Sequence, residues 1–233
     1  MTGSSQTPVP TPVVTIDGPS GSGKGTVSEL LAQRVGWHRL DSGALYRLVA
    51  HAGHAAGLAP EDVEGHVQIA RQMKVAFDHK PGGAERVMLD GIDVTAAVRA
   101  ESAGAGASRV AAWPALRTVL IARQRAAAIA PGLIADGRDM GTVIFPEARL
   151  KIYLTASPEE RAQRRYKQLK EKDSGVSLAA LSREIAERDH RDATRSVAPL
   201  VPAADAIVLD STTLNAVAVT DAIVALGRAR ALW

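Results

Sequence analysis

The chain has 233 residues, 46% hydrophobic and 23% charged, enough for one large domain with insertions and too apolar for a disordered chain. Eight aromatic residues leave little for a surface that stacks bases, and a net charge of +3 sets up no strong nonspecific field. The lack of cysteine excludes disulfides, thiolate nucleophiles and thiolate metal sites, and no apolar stretch approaches the ~18 residues that span a bilayer.

Residues 1–12, MTGSSQTPVPTP, have neither the basic start nor the apolar run of a signal peptide, and are expected to form a disordered tail on a cytoplasmic protein. Val13–Asp17 follows as a β-branched run, the pattern of a strand buried on both faces. Val27, Leu30, Leu31 and Val35 recur at helical spacing, so a helix is expected from about Thr26 to Val35, ended by Gly36. Further buried strands are expected at Trp37–Leu40, Leu133–Ala135, Leu150–Leu154 and Ala206–Leu209, and a helix from about Ala115 to Ala130. Strands alternating with helices argue for an α/β protein, a parallel sheet with helices on both faces.

Two stretches interrupt that rhythm. Val75–Val94 reads as three short strands with turns at Lys80-Pro81-Gly82-Gly83 and Asp90-Gly91, a small antiparallel insertion. Ser157-Pro158-Glu159-Glu160 opens a helix with an N-cap Ser, Pro at the first helical position and Glu at the third, the sequence of a capping box. That helix carries Arg161, Arg164, Arg165, Lys167, Lys170 and Lys172 and stops at Asp173-Ser174-Gly175. Helices from about Ser177 to His190 and Asn215 to Arg230 complete the chain. The 21 Arg against 7 Lys point to anionic ligands, because the guanidinium fork grips phosphates and carboxylates bidentately.

Gly18-Pro19-Ser20-Gly21-Ser22-Gly23-Lys24-Gly25-Thr26 follows the first strand and runs into the first helix, the context in which G-x-x-x-x-G-K binds phosphate. Backbone N–H groups converge on phosphate oxygens there, and the helix N-terminus adds partial positive charge. Lys24 is expected to reach the β- and γ-phosphates of a bound nucleotide, and Thr26 to ligate Mg2+ largely through waters and phosphates. The alternative is a Gly/Ser-rich connection that binds nothing. A switch GTPase would need an Asn-Lys-x-Asp base reader, yet the single Asn, Asn215, is followed by Ala216.

Leu40–Arg47, LDSGALYR, lies where the second strand ends, at the rim where open parallel sheets bind ligands; alternatively Asp41 or Ser42 caps a helix. Ala135–Thr142, ADGRDMGT, ends another strand in a charge cluster. Asp136 stands where a magnesium-organising carboxylate belongs, unless an Arg–Asp pair merely holds the turn. The six His residues are scattered and form no metal-ligand set.

The stretches GPSGSGKGT, LDSGALYR, IADGRDMGTVIFP and APLVPAAD, with Glu187–Asp192 and Arg195, resemble the bacterial cytidylate kinases from about Val13 to the C-terminal helix. The resemblance implies a P-loop three-layer α/β fold with a five-stranded parallel sheet over residues 13–233. It also implies a monophosphate-binding insertion at about 70–100 and a short helical lid at about 157–176. The implied reaction moves the γ-phosphoryl of ATP to CMP or dCMP, in a monomer with no nucleic-acid or membrane partner. Carried over residue by residue, the resemblance places the cytosine pocket on Ser42, Arg117, Asp139 and Arg195, and the sugar hydroxyls on Arg188 and Asp192. It places the acceptor phosphate near Arg47 and Arg138, with Tyr46 beside them and Ser108 a further candidate. Lys24, Asp136, Arg138 and the lid residues Arg161 and Arg165 form the implied catalytic set, the last two sharing one helical face that a closing motion would bring over the ATP phosphates.

Spacing alone reads differently. Arg188 and Asp192 are then an i,i+4 surface pair, Arg117 a residue on a solvated helix face, and the basic helix simply solvated. The competing functions are a kinase for UMP, AMP or a non-nucleotide acceptor, and an ATP-dependent nucleic-acid-binding protein.

Overall fold

In the computed structural model, which describes residues 11–78, 85–100, 102–170 and 177–233, the sequence pattern becomes two sheets and nine helices among the described residues. The first half runs β1 (Val13–Asp17), α1 (Lys24–Val35), β2 (His38–Asp41), α2 (Ser42–Ala55), α3 (Val63–Gln72), β3 (Val75–Asp78), β4 (Arg86–Leu89), β5 (Ile92–Asp93), α4 (Thr95–Arg99), α5 (Ser102–Val110) and α6 (Pro114–Ala126). The second half runs β6 (Leu133–Gly137), β7 (Leu150–Thr155), α7 (Pro158–Lys170), α8 (Leu178–Thr194), β8 (Ile207–Asp210) and α9 (Ala216–Ala229), with a π-helical turn over Met140–Ile144. The expected tail up to residue 10, the turn at residues 80–83, Lys172 and the stop at residues 173–175 lie outside the described residues.

The order β2-β6-β1-β7-β8 gives the expected five-stranded sheet, every neighbouring pair parallel. Both faces of the central strands β6, β1 and β7 are covered, which is why these read as apolar runs, whereas the edge strands β2 and β8, expected to be buried, are partly exposed because each has a neighbour on one side only. On one face Val14, Ile16, Ile134, Ile152 and Leu154 pack with Val27 and Leu31 of α1 and Val219 and Ile223 of α9. On the other, Leu133 and Ala135 pack with Leu45, Leu48 and Val49 of α2 and Leu116 and Leu120 of α6. One-residue alternation along β6 divides its side chains between the two cores.

The insertion is the sheet β3-β4-β5, antiparallel throughout. Its tight turn has Asp90 at φ 50° and Gly91 at φ 85°, the doubly left-handed geometry that Asp-Gly favours. Asp90 Oδ1 also accepts from the Lys74 N–H at 2.8 Å. The Ala/Gly-rich stretch before Ser108 is helical, as α5, and packs against α2: a Cβ at Gly106 would lie 3.1 Å from Ala50 Cβ.

Three boundaries and one motif differ from expectation. The helix expected to about Ala130 ends at Ala126, α1 begins at Lys24, and α8 continues to Thr194. Ser157 does cap α7, its Oγ accepting from Glu160 N at 3.2 Å, but the reciprocal half of the capping box is absent. The Ser157 N–H donates to Thr212 Oγ1 at 2.9 Å, and Glu160 accepts from Arg164 Nε at 2.8 Å. The loop after β8 has taken the place of the glutamate.

The α1–α9 layer is closed by Trp233, which meets Trp37 edge to face with 5.3 Å between ring centroids. Gly227 makes room for it: a Cβ there would lie 1.8 Å from Trp233 Cζ2. Gly227→Ala is therefore expected to displace the indole and cost about 1–3 kcal/mol, read as a lower urea midpoint; an unchanged midpoint would contradict this packing.

Candidate active site

The phosphate loop leaves β1 at the carboxyl edge of the sheet, where open α/β sheets place ligands. A Cβ at Gly18 would lie 2.0 Å from the Leu154 carbonyl oxygen, so only glycine lets the loop run this close to β7. Gly23, at φ 89°, turns the chain into α1. Lys24 is buried and folded back over the loop, its Nζ donating to the Pro19 carbonyl at 2.8 Å. Burial, and then the neighbouring Arg138, hold its ammonium group well below the usual lysine range. Thr26 is exposed at the mouth of the cleft.

Asp17, the last residue of β1, ties the phosphate loop to the turn that follows β6. Its two carboxylate oxygens accept from the N–H groups of Met140 and Gly141, each at 2.8 Å. Burial raises its pKa to about 6 in spite of those two donors. The turn held in this way carries Arg138 and Asp139 into a cleft of about 300 Å³.

All ten residues placed on the acceptor side line that cleft, as do Lys24, Asp136 and Arg165. Arg117 is 2% exposed and ion-paired with Asp139, so the solvated-helix alternative does not hold for it. Its Nη1 also lies 3.3 Å from Tyr46 Oη, and burial raises the Tyr46 pKa. Asp41 caps α2, its Oδ1 accepting from Ala44 N at 3.0 Å, while Ser42 is buried beside Gly137. The capping alternative thus describes Asp41, and Ser42 is left to the cleft.

Arg188 and Asp192 do not form the i,i+4 pair. Asp192 Oδ2 accepts from Arg138 Nε at 2.9 Å and its Oδ1 lies 3.4 Å from Ser108 Oγ, whereas Arg188 Nη1 is 3.5 Å from Ser20 Oγ in the phosphate loop. Burial alone would raise the Asp192 carboxyl, but Arg138 holds it below the usual carboxylate range. Arg188 has its pKa lowered to about 10, by burial and then by Arg138. Arg47 Nε, Arg188 Nε and Arg195 Nη2 are buried and have no hydrogen-bond partner among the described residues.

The basic helix divides its arginines between two tasks. Arg165 faces the cleft, but Arg161 does not line it. Arg161 is 5% exposed and pinned under the loop, donating to the carbonyls of Ala156 at 3.0 Å and Ser20 at 3.1 Å and pairing with Asp189 of α8. The two share a helical face, but Arg161, with Ala162, is buried in the first turns of α7 and Arg165 lies one turn further out. Arg164, given no role from sequence, donates to Ser211 Oγ at 3.0 Å and the Ser211 carbonyl at 2.5 Å. With Thr212, Leu214 and Asn215 it lines a second hollow of about 490 Å³ that shares Thr26 with the first. The signal for these residues is the hydroxyl-rich run Ser211-Thr212-Thr213 directly after a strand.

Asp136, the expected magnesium-organising carboxylate, accepts at Oδ2 from Ser28 Oγ at 2.7 Å and from Arg39 Nη2 at 3.2 Å, and burial, then Asp41, raises its pKa. Arg39 holds Asp136 from outside the cleft, and nothing in the sequence marks it, because on a strand it looks like an ordinary polar residue.

A family model described as cytidylate kinase matches residues 14–229. The cytidylate kinase of Stutzerimonas stutzeri is 58% identical over 207 residues, covering 88% of this chain and 90% of its own length. That of Pseudomonas fluorescens is 59% identical over 205 residues, with the same coverage of each chain. Among solved structures, a gluconokinase from Sinorhizobium meliloti is similar at 14% identity with a TM-score of 0.46, over 94% of this chain and 93% of that one. The family match spans nearly the whole chain, from β1 to the end of α9, and the chain belongs to the cytidylate kinase family.

Proposed function

We propose that the chain transfers the γ-phosphoryl group of ATP to CMP or dCMP, giving ADP and CDP or dCDP. The observation that carries this reading is the buried Arg117–Asp139 pair, in one cleft with the phosphate loop and with arginine nitrogens that have no partner among the described residues. A phosphate oxygen of the acceptor attacks the γ-phosphorus in line, and the bond from that phosphorus to the β–γ bridging oxygen breaks as ADP leaves. The attacking group is already an oxyanion, so positioning and charge neutralisation do most of the work and no strong base is needed.

Base choice follows from donors and acceptors. The Asp139 carboxylate, fixed by Arg117, accepts from the exocyclic amine of cytosine; uracil would present a carbonyl oxygen there and be repelled. Ser42 and Arg195 complete the pocket, Arg188 and Asp192 take the sugar hydroxyls with Ser108 nearby, and Arg47 and Arg138 take the acceptor phosphate beside Tyr46. Lys24 leaves the Pro19 carbonyl for the β- and γ-phosphates, and Arg165 approaches them from α7. Arg161 acts here by holding α7 to the loop. The hollow between Arg164 and Ser211–Asn215 receives the remainder of the donor nucleotide.

Thr26 opens on the cleft and Asp136 lies in its wall, a sparse oxygen set that suits a magnesium ion carried in on the ATP phosphates. Bound there, the ion would neutralise charge on the transferring group. A monomeric unit in the cytoplasm is part of the same proposal. Among the described residues no helix is long and apolar enough to cross a membrane.

An ADP-release assay with ATP and magnesium against CMP, dCMP, UMP and AMP tests the reading. Strong preference for CMP and dCMP is expected, relaxing in Asp139→Ala; equal rates on all four acceptors would reject the cytosine pocket. Lys24→Ala is expected to lower kcat by at least about 10²–10³-fold, the scale of one preorganised electrostatic group, and near-normal turnover would reject the assigned phosphate site.

A further inference from the structure

β2 is an edge strand, and its parallel register with β6 sets Asp41 opposite Asp136 and Arg39 opposite Ile134. The side chains of Asp41 and Asp136 therefore share one face of the sheet, with Arg39 one pleat back on the same face. Two carboxylates so placed repel each other, and Arg39 is the cation between them. Its Nη2 lies 3.2 Å from Asp136 Oδ2 and 3.9 Å from Asp41 Oδ2. Its Nε donates to Ser28 Oγ at 2.9 Å, and that hydroxyl donates on to Asp136. Ser28 is one turn after Lys24 on α1, so this half of the guanidinium braces the helix behind the phosphate loop.

The other half meets the insertion. Arg39 Nη1 is 3.5 Å from Oε2 of Glu85, the residue that leads into β4 of the insertion. The same Glu85 oxygen accepts from Arg99 Nη2 of α4 at 3.2 Å. The insertion also reaches the acceptor side, since the Val98 carbonyl of α4 is 3.5 Å from Arg47 Nη1. One guanidinium, 11% exposed, thus joins the phosphate-loop helix, the cleft wall and the separate three-stranded sheet.

We propose that Arg39 is a positioning residue that couples the seating of the insertion, through Glu85, to the alignment of Asp136 and the phosphate-loop helix. Arg39 does not line the cleft, so it acts through the groups that do. The planar fork meets three acceptors at fixed angles, which the single ammonium of a lysine does not reproduce. Seating the insertion around an acceptor and setting the phosphate loop for the donor become one event instead of two. The proposal rests on the kinase reading above.

The test uses steady-state kinetics on the full chain with ATP and CMP, alongside urea melts. Glu85→Gln keeps shape and removes charge. It is expected to raise KM for CMP about fivefold or more while moving KM for ATP and the urea midpoint little. Arg39→Met also releases Asp136 and Ser28, so kcat is expected to fall as well, with Arg39→Lys recovering only part of it. Combining Glu85→Gln with Arg39→Met is expected to add little to KM for CMP, because the contact is already lost. The proposal is overturned by an unchanged KM for CMP in Glu85→Gln, by kcat falling only in step with the folded fraction at constant KM values, or by Arg39→Lys with wild-type constants. If Arg39→Met does not fold, Glu85→Gln decides alone. Absence of CMP phosphorylation in the unaltered protein would reject the kinase reading itself, whereas full activity there with indifferent variants rejects only the coupling.

Discussion

Burying Lys24 beside Arg138 is the electrostatic constraint around which the structure is arranged. Like charges in a low-dielectric cleft repel, and Arg47, Arg165, Arg188 and Arg195 bring further cations to the same space. The fold sustains this with three carboxylates, each holding one arginine: Asp139 holds Arg117, Asp192 holds Arg138, and Asp136 holds Arg39. The pairs join elements far apart in the chain, α6 with the turn after β6, that turn with α8, and β2 with β6.

The sheet makes this arrangement possible by separating duties. Its two apolar faces fix the strands, and the carboxyl edge of β1, β2 and β6 then presents Asp17, Asp41 and Asp136 within one small region. Asp17 stabilises the phosphate loop's neighbour through backbone N–H groups, whereas Asp136 meets a guanidinium and a hydroxyl. The same residue type at the ends of adjacent strands therefore does different work, decided by the donors each one finds.

Local patterns were legible in the sequence where they depend on neighbours along the chain. The strand, glycine loop and helix from Val13 to Val35, and the Asp90-Gly91 hairpin, needed no tertiary information. The acceptor pocket did, because its partners are remote: Arg117 from Asp139, Ser108 and Arg138 from Asp192. Spacing alone therefore favoured a surface pair for Arg188 and Asp192, and only the resemblance in motif placed them in a cleft. Periodicity put Arg161 and Arg165 on one face correctly, but it carries no information about depth, and depth separates the pinned residue from the one at the cleft. Ser157 shows the same limit in a cap, where a loop from beyond β8 displaced the glutamate that local sequence favours.

The nitrogens of Arg47, Arg188 and Arg195 that have no partner among the described residues also bear on how the folded protein responds to its medium. A buried guanidinium N–H without an acceptor draws oxyanions, and any anion that binds the native state and not the unfolded chain shifts the folding equilibrium by mass action. Phosphate and sulfate salts are thus conformational ligands for this chain as much as background electrolyte. Its thermal midpoint is a joint property of the polypeptide and the buffer anion, and a value taken in phosphate is not interchangeable with one taken in an organic zwitterion.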